Sequence, residues 1–186
     1  MEISVREATE ADLEWVRERV LESSAYSIPY CRDVANSLVR EAAEEDFERV
    51  LAEREHIVFL IAENQESVRM GLLILNLNHT SDATGERQSL IEDLDVEPKF
   101  WGSPAVNRLV HRAAQVTAEH GLTYMVGHVA VGNRRTLLKA RRLGFQIERY
   151  HLVMGCDPDG ATVLPGRDEA EKAHDLSRRV RREERR

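Results

Sequence analysis

The spacing of hydrophobic positions changes several times along the chain, and each spacing predicts an element. Ile3-Ser-Val-Arg-Glu-Ala8 alternates apolar and polar residues, as a half-buried strand does. Thr9 to Asp12 supplies helix caps, after which Leu13, Val16 and Val20 fall on one helical face. Asp33 to Glu55 predicts a second amphipathic helix, with Val39, Ala43, Phe47 and Val50 at helical spacing. His56 to Glu63 is rich in β-branched residues and apolar on both faces, which predicts a central strand. Asn64 to Ser67 is its turn and Val68 to Asn78 the returning strand of an antiparallel hairpin. A polar loop precedes a strand over Gln88 to Val96. Pro104 to His120 is a helix that buries Val106, Leu109, Val110, Ala113 and Val116 and ends at Gly121. Leu122 to Val129 is a strand, Asn133 to Leu143 a helix stopped by Gly144, and Phe145 to Met154 a last strand. The order β-α-α-β-β-β-α-β-α-β predicts an α/β fold. Its mixed, mostly antiparallel central sheet has six to seven strands, with helices on both faces.

Composition narrows the classes. A chain of 186 residues, 42% apolar and 32% charged, has the length and balance of one soluble globular domain. That domain is assigned to residues 1–155, since Gly155-Cys-Asp-Pro-Asp-Gly160 reads as its end. Residues 156–186 form a charged tail with a thin helical face of Ala170, Ala173, Leu176 and Val180. It reads either as a solvated helix or as an arm for a homodimer or another partner. A net charge of −7 argues against a nucleic-acid partner and is compatible with a cationic substrate. Cys31 and Cys156 have no metal-ligand spacing, so neither a disulfide framework nor a metal site is expected. The apolar runs are too short for a membrane span and the N-terminus has no signal-peptide core, so a cytoplasmic setting is expected.

Two segments carry a resemblance. One is Leu90-Ile-Glu-Asp-Leu-Asp-Val-Glu-Pro98, followed by Trp101-Gly102 and a helix; the other is Val129-Ala-Val-Gly-Asn133, a helix, then Leu143-Gly-Phe145. In this order and spacing they resemble the GNAT superfamily of acyl-CoA-dependent N-acyltransferases. The resemblance covers about residues 3 to 154 and implies acetyl-CoA as acyl donor and a primary amine of a small molecule or peptide as acceptor. It also implies that Leu94, Asp95 and Val96 hold the pantetheine arm through their backbone. Gly102, Ser103, Ala105 and Val106 would then lie at the pyrophosphate and Asn133 at the mouth of the cofactor site; the basic helix after it is either a solvated face or brings Arg134 or Arg135 to the adenosine phosphate. The sequence departs from the family where an Arg/Gln and glycines are usual, having Trp101, Pro104 and Val106. It also has Ala140 where a proton-donating Tyr is common.

The chemistry sets further requirements. A helix N-terminus attracts a phosphate through unpaired N–H groups, and here those of Ser103, Ala105, Val106 and Asn107 are expected to remain. Ser103 as N-cap and Pro104 as first helical residue also suit a plain helix start. The amine must be neutral to attack, so a base is needed, and Glu92 and Asp93 are the candidates. Regular alternation puts Glu92 with Leu94 and Val96, and Asp93 with Asp95; a bulge would break that parity. Glu92 is the first choice. With Ala140 unable to donate a proton, Tyr30, Cys31 and His128 are candidate substitute acids, and water could also do the job. Tyr26 and Tyr30, in the loop between the first two helices, either line the acceptor pocket or pack the loop down. The opposing reading is an inactive GNAT-fold domain that senses a CoA-like ligand or binds a protein.

Overall fold

The computed structural model describes residues 2–24, 34–130, 132–152, 155–156 and 162–163. The chain divides into two compact units, Met1–Phe145 and Gln146–Arg186. The first unit is built on a five-stranded sheet in the order β1-β2-β3-β4-β5. Its strands are β1 (Ile3–Glu7), β2 (Ile57–Asn64), β3 (Arg69–Thr80), β4 (Arg87–Val96) and β5 (Met125–Gly127). The first four pair antiparallel, and β5 joins β4 in parallel.

Alternation along β3 sorts two cores. Leu73, Leu75 and Leu77 pack with Leu109, Ala113 and Val116 of α3 (Ala105–Glu119) on one face. Leu72 and Ile74 pack on the other with Val16 of α1 (Leu13–Ser23) and Phe47 and Val50 of α2 (Asn36–Ala52). With helices on both sides, β2 and β3 are buried almost throughout, which is why they read as continuous apolar runs. The β2–β3 turn forms as expected, with the Asn64 Oδ1 accepting from the backbone N–H groups of Glu66 and Val68. The fourth helix, α4 (Arg134–Arg142), ends at Gly144 with φ +98. There the Phe145 N–H donates to Ala140 O and the Gly144 N–H to Arg141 O, the paired closure that a left-handed residue after a helix allows.

The sheet has five strands rather than six to seven. Phe145 to Leu152 form no strand, and β5 is three residues long where eight were expected. Alternation marks a segment suited to a sheet, but a strand exists only with a ladder partner, and that depends on the tertiary context. The second unit contains a small antiparallel pair, β6 (Gly155–Cys156) and β7 (Thr162–Val163). Tyr26, Tyr30, Cys31 and the tail beyond Gly166 lie outside the described residues.

The corner between β1 and α1 is closed by a buried carboxylate. Asp12 is 2% exposed and stands immediately before α1. It accepts from Arg6 at 2.7 and 3.0 Å and from the backbone N–H and hydroxyl of Thr9 at 2.8 Å, and pairs with Arg69 at 2.8 Å. Arg6 also reaches Glu63 at 2.6 Å. The Arg6 hydrogen bond outweighs burial and, with Thr9, holds the Asp12 carboxyl well below the usual carboxylate range.

Candidate active site

Strand β4 is ten residues long, but β5 covers only Ser89 to Ile91 of its outer edge. From Glu92 to Val96 that edge has no strand partner among the described residues. The Glu97 N–H donates to Met70 O of β3 at 2.9 Å. By the two-residue alternation of an antiparallel ladder, Asp95 also turns its backbone to β3, while Leu94 and Val96 turn theirs to the open edge. An extended amide chain laid beside β4 therefore finds Leu94 and Val96, not Asp95. Close approach of the two strands here requires Gly71: a Cβ at that position would lie 2.5 Å from Asp95 O.

The register places a bulge inside the acidic segment. Ile74 opposes Asp93 and Leu75 opposes Ile91, so Glu92 is an extra residue on β4. This overturns the regular alternation expected from the sequence. Glu92 does not share a face with Leu94 and Val96. Its Oε1 accepts from Asn76 Nδ2 at 2.9 Å, and Asn76 is in phase with Leu72 and Ile74 on the α1/α2 side of β3. Asp93 and Asp95 face the same side, where they meet Ser23 and Arg19 of α1. The bulge thus brings three carboxylates to one face.

Those carboxylates have different surroundings. Asp95 is paired with Arg19, both side chains being about nine-tenths buried, and Arg19 also reaches Glu22 at 2.5 Å. Among the described residues, Asp93 has no ion pair of its own. Its Oδ1 accepts from the Leu94 N–H at 2.8 Å and its Oδ2 lies 3.0 Å from the Ser23 hydroxyl. Burial pushes the Asp93 carboxyl up to about 6, and the negative charge of Asp95 adds to the rise. The bonds from Ser23 and Leu94 and the charge of Arg19 oppose it only in part. Sequence reasoning did not assign Ser23, Arg19 or Asn76. The available signal was in α1: Arg19 and Ser23 are polar residues on the buried side that Val16 begins.

The loop after β4 is tightly closed. Gly102 adopts φ +89, a left-handed conformation in which glycine is favoured. The helix begins at Ala105, so Pro104 is its N-cap and not its first residue; the Pro104 carbonyl accepts from Arg108 N–H at 3.0 Å. Of the four N–H groups expected to be open, the one on Ser103 donates to Phe100 O and the one on Ala105 to Ser103 Oγ. Those of Val106 and Asn107 have no protein partner among the described residues. Trp101 spans the loop and donates from Nε1 to Val96 O at 2.7 Å. Arg135 of α4 stacks over its ring at 5.6 Å. A cation from α4 thus stands beside the position where the loop itself has none. Asn133 caps α4 by accepting from Thr136 N–H at 3.1 Å, as its place in the sequence suggested, with Arg134 half-buried next to it. His128 is exposed, immediately beyond β5.

No family model and no curated protein matches the sequence. Solved structures do match. An acetyl transferase assignment attaches to a Pyrococcus furiosus structure that is 19% identical, with a TM-score of 0.69 over 82% of this chain and 98% of that one. The aminoglycoside acetyltransferase AAC(6')-Iy, bound to a bisubstrate analogue of CoA and an acetylated neamine, is 19% identical. Its TM-score is 0.62, covering 82% and 97% of the two chains. The aminoglycoside 6'-N-acetyltransferase AAC(6')-Ih from Acinetobacter baumannii is 12% identical, with a TM-score of 0.59 over 84% and 99%. These likenesses show the fold: the chain, with its mostly antiparallel five-stranded sheet between helices, has the fold of the GNAT acetyltransferases.

Proposed function

We propose that the protein is an acetyl-CoA-dependent N-acetyltransferase acting on a primary amine of a small molecule or peptide. The observation that carries this reading is Asp93, a half-buried carboxylate with a raised pKa beside the uncovered edge of β4. Acetyl-CoA would supply an activated acyl group and a thiolate that leaves readily. The Leu94 carbonyl and the Val96 N–H fit its pantetheine amides as a neighbouring strand would, the Leu94 N–H being held by Asp93 and the Val96 carbonyl by Trp101. The N–H groups of Val106 and Asn107 at the start of α3, with Arg134 and Arg135 of α4, fit its phosphates; Asn133 orients that end of α4. Gly102 lets the loop approach the ligand closely. Asp93, rather than the first-choice Glu92, takes a proton from the incoming ammonium. A base that titrates near neutrality is free to accept a proton and still strong enough to hold it. Glu92 adds negative potential that draws a cationic acceptor, and His128 is the proposed proton donor. The aminoglycoside acceptors named for two structural neighbours support a small polar amine. A cytoplasmic setting and a homodimer complete the proposal.

The Trp101 contact favours a second reading, a CoA-fold sensor without turnover. The indole already occupies the Val96 carbonyl, and two of the four loop N–H groups are engaged. Calorimetry with acetyl-CoA, followed by thiol release against a panel of amines, separates the two. Saturable binding with amine-dependent thiol release is expected. Binding without release assigns the sensor, and no binding at millimolar acetyl-CoA removes both.

A further inference from the structure

The Ser23 hydroxyl has two acceptors within reach and one proton to give. Its Oγ lies 3.0 Å from Asp93 Oδ2 and 3.1 Å from the carbonyl oxygen of Val20. When Asp93 is ionised, the hydroxyl proton points to the carboxylate. The Val20 carbonyl is not left bare, because it still accepts from the Ser24 N–H at the end of α1. When Asp93 is protonated, the Leu94 N–H still holds Oδ1, so the acid proton sits on Oδ2 and faces Ser23. Ser23 then accepts it and turns its own proton to Val20. Every proton has an acceptor in both states, and no heavy atom has to move.

We propose that Ser23 is a positioning residue whose hydroxyl reverses direction with the protonation of Asp93, keeping that carboxyl in one orientation as it gains and loses a proton. The inference rests on the reading of Asp93 as the base. A purely donating partner holds only the charged form, as Arg6 does for Asp12. A hydroxyl is both donor and acceptor and serves either form. The other charged groups around Asp93 have partners of their own. Arg19 and Glu22 on α1 are tied to each other and, through Arg19, to Asp95 on β4. Glu92 is held by Asn76, with Arg49 of α2 acting on it at longer range.

The reversal has a signature that a merely structural serine lacks: the Val20 carbonyl gains a hydrogen bond when Asp93 is protonated. In the full chain labelled with carbon-13, the Val20 carbonyl shift is expected to titrate with the Asp93 carboxyl, which Asp93→Asn assigns. In Ser23→Ala the Val20 response is lost, and the Asp93 titration moves up by about one pH unit or less, the excess of a charge-assisted hydrogen bond over a neutral one. Ser23→Thr, which keeps the hydroxyl, restores both. Melting curves at alkaline pH identify the variants that fold. A Val20 carbonyl that ignores the Asp93 titration in the folded wild-type protein overturns the proposal. If the titrations move together but the acid limb of thiol release stays put in Ser23→Ala, the hydroxyl reversal stands and the base reading falls.

Discussion

Helix α1 begins at a buried aspartate and ends against a half-buried one on β4, and the two are driven in opposite directions. Asp12 stands at the N-terminus, where the helix dipole favours a negative charge, and it holds two guanidinium groups and two Thr9 donors. Asp93 meets Ser23 at the C-terminal end, where the dipole disfavours a negative charge, and its partners are a hydroxyl and one backbone N–H. Arg19, the cation that acts on it among the described residues, is committed to Asp95 and Glu22. Burial alone therefore does not decide the state of a carboxyl; the donors around it do. Asp12 is locked in its charged form and closes a corner of the fold. Asp93 is poised to change state, which is what a base requires.

The largest expected effect breaks the poised member. Asp93→Asn keeps the shape and is expected to lower turnover by about 10²–10⁴-fold, the usual contribution of a positioned base. Stability should change in the opposite direction. Because the folded pKa is raised, the stability that Asp93 contributes is present in acid, below the ordinary carboxylate value, and is lost as pH rises through about 6. Removing the charge should therefore stabilise the protein by about 1–2 kcal/mol above neutrality and leave it unchanged in acid. Urea melts at the two pH extremes check both signs.

Breaking the locked member should do the reverse. Asp12→Asn leaves Arg6 and Arg69 without their shared partner and is expected to cost about 2–4 kcal/mol at neutral pH. The folded pKa of Asp12 is lowered, so its contribution is present above the ordinary carboxylate value and lost as pH falls through the folded one. The gap between the two melts should narrow in strong acid, and the pH dependence of turnover should not shift.

Gly71→Ala sharpens the contrast within the start of β3, where Arg69 serves the locked corner and Gly71, two residues on, the open strand. The added Cβ would sit 2.5 Å from Asp95 O and 2.7 Å from Val96 Cγ2, so the end of β4 must move. A cost of about 1–3 kcal/mol and weaker acetyl-CoA binding are expected, read by melting and calorimetry. The smallest effect is at Trp101. Trp101→Phe removes the indole donor from Val96 O and is expected to tighten acetyl-CoA by a few-fold, about one ordinary hydrogen bond or less.

What was legible in the sequence was local. The β2–β3 turn depends on Asn64, the α4 cap on Asn133 and its stop on Gly144, and each is settled within a few residues. Phe145 to Met154 also read as a strand, but nothing within those residues bears on whether a partner strand exists. The choice between Glu92 and Asp93 was not legible, for two reasons. The bulge depends on the register against β3, and the groups that distinguish the acids lie far away in the chain. Ser23 is 70 residues from Asp93, and Arg19 is 76 from Asp95. The open edge of β4 was readable only through resemblance, since nothing in the apolar pattern shows β5 stopping after three residues.

The central claim is that Asp93 is the base of an amine acetyl transfer. Amine-dependent thiol release from acetyl-CoA at saturating acceptor, followed from acid to mildly alkaline pH in wild type and Asp93→Asn, tests it most directly. The expected wild-type rate rises through a limb at about 6, with Asp93→Asn slow and without that limb. An Asp93→Asn protein that keeps both the wild-type rate and the limb would contradict the claim.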